Sequence, residues 1–509
     1  MSSTTEPGKD LTHRTIGGLL WMAGGKGAYG VLQLLVLAVL ARLLTPADFG
    51  VVSAALVVIG LSQIVSQLGL GPALVQRPTL EPRHIDTAFS VSVILGIGLG
   101  ALIWLIAPAA AAFFRIEAVA PVLRALAWLF PLQGLGTVAE SLMRRDLRFS
   151  WLARIDVVTY GVGYGAVGIA LALAGWGVWA LVAGQIVQSC LKSGALLRAR
   201  FSFPQHFIER QAFVDLMYFG GGFTLAKIAN YVALQGDYFV VGRFLGKAPL
   251  GEYSRAYNLM SAPASGLGSI LDEVLFPTMA RVQSDPVRLA AAFRRGAAFI
   301  ALCVLPCSIA MIILAPEVVA VLLGSQWTAV IAPLQVLAIG MLFRTSYKLS
   351  DSIARATGAV YRRAWRQAVY AALVVTGALI GRRWGITAVA WGVLGALAIN
   401  FLLMAQLSVT VAHMRWSEFW RAHVPAVATT AATVPVVWLV ATLLRHWSAP
   451  AAVVLAGAGL LAMITAGGLL FFYAPRFLGP DGMWMVDALR RFWRTTTQRV
   501  TRPKALPAL

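Results

Sequence analysis

Long apolar stretches alternate with short polar segments along almost the whole chain. A run of about 18 or more apolar residues is long enough to cross a hydrocarbon core of about 30 Å as a helix. Strict alternation of apolar and polar positions is absent, which disfavours a transmembrane barrel. The pattern therefore predicts an all-α membrane protein with about fourteen transmembrane helices. They are placed at 16–41, 48–71, 86–112, 118–141, 153–174, 176–197, 213–241, 250–277, 291–314, 328–350, 365–381, 386–411, 424–444 and 451–473.

Composition and charge refine this picture. Hydrophobic residues make up 59% of the chain, charged residues make up 12%, and the net charge is +21. The basic residues lie in short connections between apolar segments and form no basic globular domain, so we expect a membrane topology signal and no nucleic-acid partner. Basic clusters recur in alternate connections, and this predicts an even number of spans with both termini cytoplasmic. The main clusters are Arg144–Arg145–Arg148, Arg281–Arg288–Arg294–Arg295, Arg362–Arg363–Arg366 and Arg490–Arg491–Arg494.

The chain also contains an internal repeat at an offset of 201 residues. Residues 26–74 align without gaps with 227–275, and twelve positions are identical. Six predicted helices separate the two copies, so both copies have the same orientation in the membrane. This predicts two parallel six-helix lobes with a cleft between them. The identical positions in the first copy are Lys26, Ala28, Val31, Val39, Arg42, Leu44, Ala47, Gly50, Ser53, Ala55, Leu70 and Leu74.

The repeat divides the sequence into five predicted parts. The predicted boundaries are a cytoplasmic N-terminal tail at 1–15, a first lobe with its connecting loop at 16–212, a second lobe at 213–423, an appended helix pair at 424–473 and a basic tail at 474–509. The basic and aromatic composition of the last part is typical of a segment that lies on the inner membrane surface.

Polar side chains form stripes on three of the predicted helices. Ionisable groups inside a span cost about 2.5–3.5 kcal/mol each on insertion scales, so they usually face a bundle interior or a wet cavity. We interpret these stripes as cleft-lining, although helix-to-helix pairing and ordinary Ser packing are alternatives. The stripes are Lys26, Tyr29 and Gln33 on the first helix; Lys227, Asn230, Tyr231, Asp237 and Tyr238 on the seventh; and Arg255, Asn258, Ser261, Ser265, Ser269 and Asp272 on the eighth.

Five other charged residues lie outside these stripes, and their sequence context indicates their role less clearly. Arg42 and Arg243 sit at repeat-related helix ends. They are either interfacial anchors or guanidinium groups that grip a diphosphate at the mouth of the cleft. Arg124, Glu140 and Asp156 are expected to pair with one another within the first lobe.

Enzyme and cofactor signatures are absent from the sequence. It contains no HExxH, Walker A, GxSxG or dinucleotide-binding glycine motif. Cys190, Cys303 and Cys307 show no metal-binding spacing. We therefore expect no catalytic residues, no metal, no cofactor and no built-in ATPase. The energy for any transport would come from an ion gradient or from the gradient of the cargo.

Four segments resemble a known family. They are G-G-L-L-W-M-A-G-G-K-G-A-Y-G at 17–30, A-R-L-L-T-P-A-D-F-G at 41–50, Q-L-G-L-G-P-A-L-V-Q-R at 67–77, and G-D-Y-F-V-V-G-R-F-L-G with L-G-E-Y-S-R-A-Y-N-L between 236 and 259. The chain through about residue 411 resembles the Wzx-type O-antigen and exopolysaccharide flippases of the multidrug/oligosaccharidyl-lipid/polysaccharide superfamily.

The resemblance implies a function. An undecaprenyl-diphosphate-linked oligosaccharide would move from the cytoplasmic to the periplasmic leaflet of the inner membrane by alternating access of two lobes. Partners would be this cargo, membrane lipids, a proton or sodium ion and other polysaccharide assembly proteins. Alternatives are an ion-coupled multidrug exporter, a lipid II flippase, or a polysaccharide polymerase or ligase. The sequence leaves open the sugar, the coupling ion, the oligomeric state, the conformational state and which cavity residues contact cargo.

Overall fold

The computed structural model describes residues 27–67, 70–77, 79–200, 208–211 and 230–472. Within these ranges all regular secondary structure is helical, which agrees with the predicted all-α class. The N-terminal helices are α1 Gly27–Leu43, α2 Pro46–Gln67, α3 Leu70–Gln76, α4 Pro82–Phe114, α5 Val119–Leu126, α6 Leu129–Arg145, α7 Phe149–Tyr160, α8 Ile169–Leu173 and α9 Val178–Arg200. The later helices are α10 230–244, α11 Lys247–Arg281, α12 Pro286–Ile313, α13 Ala315–Leu322, α14 Ile331–Ile339, α15 Met341–Ala356, α16 Val360–Gly381, α17 Ile386–Val411, α18 Trp416–Arg421, α19 Val424–His446 and α20 Ala451–Phe472.

Ten helical segments in the described part are long and apolar enough to cross a membrane. An eleventh is formed if Ser325–Ile339 and Met341–Ala356, which meet at a bend of 44°, count as one broken span. α11 is 35 residues long, but its many polar residues keep it outside this group. The predicted span at 213–241 lies mostly outside the described residues. The protein is thus a multispan helical membrane protein, and the count of fourteen stays a prediction.

The turn between α1 and α2 shows how local sequence sets a helix boundary. The hydroxyl of Thr45 donates to Asp48 Oδ2 at 2.7 Å, and the same carboxylate oxygen accepts from the Thr45 backbone N–H at 3.0 Å. Pro46 stands at the first helical position, where its missing N–H costs nothing. Asp48 lies in the first turn, where the helix dipole favours a negative charge. The T-P-A-D sequence therefore ends one helix and starts the next.

The contacts between residues divide the chain into two compact units. The first comprises Met1–Arg255, Val319–Val330 and Val374–Val389, and the second comprises Ala256–Val318, Ile331–Leu373 and Ala390–Leu509.

In the first unit, α2 crosses the start of α11 at a close glycine contact. A Cβ atom at Gly50 would lie 2.6 Å from the carbonyl carbon of Lys247, and one at Gly251 would lie 2.8 Å from the carbonyl carbon of Pro46. No residue with a side chain fits at either point without separating the helices. The two contacts are reciprocal, because Lys247 and Gly251 follow Pro46 and Gly50 by 201 residues.

The carboxyl end of α1 is held by a later segment of the same unit. Trp327 is fully buried, and its indole N–H donates to the carbonyl of Ala41 at 2.8 Å. The amide of Gln326 donates to the carbonyls of Ala41 and Leu44 at 2.7 and 3.1 Å. These donors satisfy carbonyls that have no partner within α1 itself. The end of α1 is thereby fixed beside Phe49, whose ring packs 5.4 Å from Trp327.

The second unit is organised around α12, which packs against α15 and α19, while α19 also packs against α20. Arg445 on α19 makes a two-pronged ion pair with Glu317 on α13, with N–O distances of 2.7 and 2.8 Å. The carboxylate of Glu317 is buried, so this planar arrangement compensates its lost hydration. Ser308 on α12 donates to the carbonyl of Ala338. Polar side chains thus connect helices whose other contacts are apolar.

Candidate functional site

Arg255, on the third turn of α11, is a partly buried cation without a counter-ion in the described part of the chain. Its guanidinium carbon lies 4.8 Å from the ring centre of Phe49, a cation–π distance. Tyr160, Tyr164 and Tyr238 are close enough to interact electrostatically with its charge. Its Nε is buried and has no hydrogen-bond partner among the described residues. A guanidinium with an unengaged donor and no described counter-ion is suited to bind an anion such as a phosphate.

A row of tyrosines connects α1 to this cluster. The ring of Tyr29 lies 5.1 Å from that of Tyr160, which stacks on Tyr164 at 5.3 Å. The hydroxyl of Tyr164 donates to Gln185 Oε1 on α9 at 3.2 Å. The structure therefore brings two predicted site residues, Tyr29 and Arg255, to the same aromatic row. Gln33, one turn after Tyr29, is exposed.

The predicted residues of the seventh helix have different surroundings. Asn230 is partly buried, and Tyr231 donates its hydroxyl proton to the carbonyl of Val57 on α2 at 2.9 Å. Asp237 is buried and accepts a hydrogen bond from the hydroxyl of Tyr253 at 2.7 Å and another from the Tyr238 backbone N–H at 3.0 Å. The Asp237 carboxylate therefore connects α10 to α11, which favours the helix-pairing interpretation for this residue.

We expect Tyr253→Phe to destabilise the protein. The substitution removes the hydroxyl that donates to the buried Asp237 carboxylate, and a hydrogen bond to a charged group contributes about 1.5–3 kcal/mol. A lower midpoint of thermal unfolding in detergent would verify this. Tyr361→Phe is the control, because Tyr361 is 91% exposed, and it should leave the midpoint unchanged. Equal midpoints for both variants would contradict a stabilising role for the Asp237–Tyr253 bond.

Arg42 and Arg243 both contact helix carbonyls. Arg42 Nη2 donates to the carbonyl of Val321 at 2.9 Å, in the last turn of α13. Arg243 Nη1 donates to the carbonyl of Ala112 at 3.3 Å, near the end of α4, and its guanidinium lies 5.7 Å from the ring centre of Phe113. Cations at these positions complement the negative end of a helix dipole. A contact of either residue with a diphosphate stays a prediction.

The structure describes the side chains of two further predicted residues of the eighth helix, Asn258 and Ser261. Asn258 is exposed and Ser261 donates to its carbonyl at 3.2 Å, and both belong to the second unit. The side chains of Ser265, Ser269 and Asp272, and the whole of Lys26 and Lys227, lie outside what the structure describes.

Two charged groups were missed by the sequence analysis. Lys192 on α9 bridges Glu140 and Asp156, with N–O distances of 3.3 and 2.9 Å, and Arg144 also contacts Glu140 at 2.6 Å. The expected pairing of Arg124 with Glu140 and Asp156 was wrong, because Arg124 stacks over Trp104 at 4.7 Å instead. The polar spacing on α9 was the signal that could have revealed Lys192. Its polar face is Gln185, Gln188, Ser189, Lys192 and Ser193.

The second missed group is Arg344 on α15, in the second unit. Its Nη1 donates to the hydroxyl of Tyr257, and its guanidinium lies 4.7 Å from the ring centre of that residue. Tyr347 and Tyr370 are close enough to interact electrostatically with its charge. Arg255 in the first unit and Arg344 in the second thus each lie over an aromatic ring. In the described ranges no group of three His, Cys, Asp or Glu side chains is arranged to hold a metal ion.

A multispan helical fold with arginines held among tyrosines inside apolar helices defines an integral membrane protein with polar intramembrane sites. The chain belongs to the polysaccharide biosynthesis protein family, whose family model matches residues 39–332.

Individual relatives agree with this assignment. The chain is 24% identical over 477 residues to the teichuronic acid biosynthesis protein TuaB of Bacillus subtilis (strain 168), covering 91% of this chain and 95% of TuaB. It is 25% identical over 338 residues to the lipopolysaccharide biosynthesis protein WzxC of Escherichia coli (strain K12), covering 66% and 68% of the two chains. The lipid II flippase MurJ in its inward closed conformation has a similar fold, with a TM-score of 0.73 and 11% sequence identity. The match covers 89% of this chain and 99% of MurJ.

Proposed function

We propose that the protein is a flippase that moves undecaprenyl-diphosphate-linked oligosaccharides from the cytoplasmic to the periplasmic leaflet. The single observation that carries the proposal is Arg255, a guanidinium on a long helix that stacks over Phe49 and has no counter-ion among the described residues. Its donors suit the diphosphate that joins lipid and sugar. Family membership and the names of TuaB and WzxC support a role in surface polysaccharide synthesis.

The transport mechanism that we propose is alternating access of two six-helix lobes, with two appended helices. Contacts between residues that the 201-residue repeat relates to one another support this mechanism. Gly50 meets Lys247, Gly251 meets Pro46, and Ser53 donates to Ser254 at 3.0 Å across a separation of 201 residues. Contacts of this kind arise where two related segments meet at a twofold axis.

The location and the energy source belong to the same proposal. The protein would reside in the bacterial inner membrane with both termini in the cytoplasm, where its basic connections would follow the positive-inside rule. A proton or sodium gradient, or the gradient of the cargo, would drive transport. Lys26 and Lys227 would line the cleft with Arg255. The protein would bind no cofactor, would catalyse no reaction, and would work beside other polysaccharide assembly proteins.

A lipid II flippase is the second candidate, because the fold similarity to MurJ favours it. An identity of 11% supports a shared fold but not a shared cargo. A multidrug exporter would need acidic groups to hold cationic drugs, whereas the proposed site contains an arginine that has no acidic partner in the described part of the chain. A polymerase or ligase would need a set of reactive side chains, and the sequence contains no recognisable catalytic motif.

The proposal predicts where the cargo accumulates when the gene is removed. Inner-membrane vesicles from deletion cells should hold the undecaprenyl-linked oligosaccharide on their cytoplasmic face, and a plasmid copy should restore the normal distribution. Sidedness can be measured by accessibility to a membrane-impermeant glycosidase or oxidant. Lipid II sidedness in the same vesicles is the control and should not change. Accumulation of lipid II would support the second candidate, and unpolymerised units on the periplasmic face would support a polymerase or ligase.

A further inference from the structure

A polar cavity lies inside the first unit, between α6 and α9. Its volume is about 390 Å³, within the range of small-molecule sites. Gln133, Thr137 and Glu140 follow one face of α6 at intervals of four and three residues. The facing positions on α9 are polar too, with Gln185, Gln188, Ser189, Lys192 and Ser193 among the lining residues. A polar cavity between membrane-spanning helices is costly to maintain, so it indicates a function.

The charges of this cavity neutralise one another. Lys192 lies between the carboxylates of Glu140 and Asp156, and Arg144 pairs with Glu140 as well. Of these four residues Glu140 and Lys192 line the cavity, and their opposite charges leave no net charge to attract an ion. A free cation would also have to displace the Lys192 ammonium from its 2.9 Å contact with Asp156. The cavity is therefore suited to a neutral polar ligand that is larger than an ion.

Several hydrogen-bonding groups in the cavity have no partner among the described residues. Gln185 receives a bond from Tyr164 on Oε1, which leaves its amide N–H groups unengaged. Ser189 is buried, and its hydroxyl has no described partner. Both Gln185 and Ser189 line the cavity. A mixed set of amide, hydroxyl and carboxylate groups matches the alternating donors and acceptors of a sugar ring.

The cavity adjoins the proposed diphosphate site. Tyr164 is close enough to Arg255 to interact with its charge, it stacks on Tyr160 at 5.3 Å, and its hydroxyl donates to Gln185 on the cavity wall at 3.2 Å. Tyr164 therefore links the electrostatic surroundings of Arg255 to the wall of the polar cavity. We propose that this cavity binds a sugar of the cargo, adjacent to the diphosphate held by Arg255. This inference rests on the proposed function and assigns sugar selection to α6 and α9 of the first unit.

The test compares two probes on the purified full-length protein in nanodiscs. The probes are undecaprenyl diphosphate and the same lipid carrying one neutral hexose, with Kd measured by native mass spectrometry. Gln185→Ala should weaken binding of the hexose-bearing lipid about threefold to tenfold, because each neutral hydrogen bond contributes about 0.5–1.5 kcal/mol. Its Kd for the bare diphosphate should not change. Ser189→Ala should act in the same direction without disturbing the charged groups.

Gln406→Ala is the matched control, since Gln406 is an exposed glutamine on α17 in the second unit. It should change neither Kd. If the wild-type protein binds both lipids equally, the cavity holds only water and the inference fails while the proposed function stands. The same conclusion follows if Gln185→Ala and Ser189→Ala leave both Kd values unchanged. If the wild-type protein binds neither lipid, the proposed function fails as well.

Discussion

Arg255→Ala is expected to reduce cargo export by about tenfold to a hundredfold while leaving the protein at least as stable. A charge-assisted hydrogen bond contributes about 1.5–3 kcal/mol, and each 1.4 kcal/mol corresponds to a factor of ten. Arg255 has no carboxylate partner among the described residues, so without cargo its charge is a cost to the folded state. Export can be measured by the sidedness of the lipid-linked oligosaccharide in vesicles, and stability by thermal unfolding in detergent.

The combination of lost export and unchanged stability distinguishes a cargo-binding arginine from a structural one. Arg445→Ala is the contrasting variant, since it breaks a two-pronged pair with the buried Glu317 and should lower the unfolding midpoint. Arg255→Lys should rescue export only partly, because an ammonium group cannot bind a phosphate with two parallel bonds. Normal export by a well-expressed Arg255→Ala would exclude the role of Arg255 at the diphosphate.

Periodicity and the repeat predicted the all-helical class and drew attention to the segments that form the Arg255 cluster. The 201-residue offset is a property of the sequence, and Ser53 and Ser254, which it relates, form a hydrogen bond in the structure. Arg255 and Tyr29 were singled out because a polar residue within an apolar run is visible without coordinates. These features follow from spacing along one helix or from a repeat within the chain, and both can be read from the sequence.

The partners of each charge could not be predicted in the same way. Glu140 and Asp156 meet through Lys192, which is contributed by a different helix, and Arg124 stacks on Trp104 instead of joining them. Partner choice depends on how helices rotate and approach one another, which a one-helix pattern does not encode. The carbonyl contacts of Arg42 and Arg243 depend likewise on where other helices end.

Replacing Gly251 by leucine is expected to prevent folding, and Gly251→Ala to destabilise the protein by about 1–3 kcal/mol, the usual cost of overpacking. Even the Cβ of alanine would lie 2.8 Å from the carbonyl carbon of Pro46, so the added atom meets backbone that cannot move aside as a side chain does. α2 and α11 would have to separate, which would also break the bond between Ser53 and Ser254. The amount of monodisperse protein and the unfolding midpoint in detergent measure the effect.

Gly266→Ala, on the same helix, is the matched control. A Cβ at Gly266 meets nothing within 4 Å, and alanine is a better helix former than glycine by about 1 kcal/mol, so this variant should fold normally. Because the contacts are reciprocal, Gly50→Ala should match Gly251→Ala in the size of its effect. Unequal effects would mean that Gly50 and Gly251 are not equally important for the close contact between α2 and α11. Normal stability of both variants would show that the helices can separate freely, and close approach would then not be a requirement of the fold.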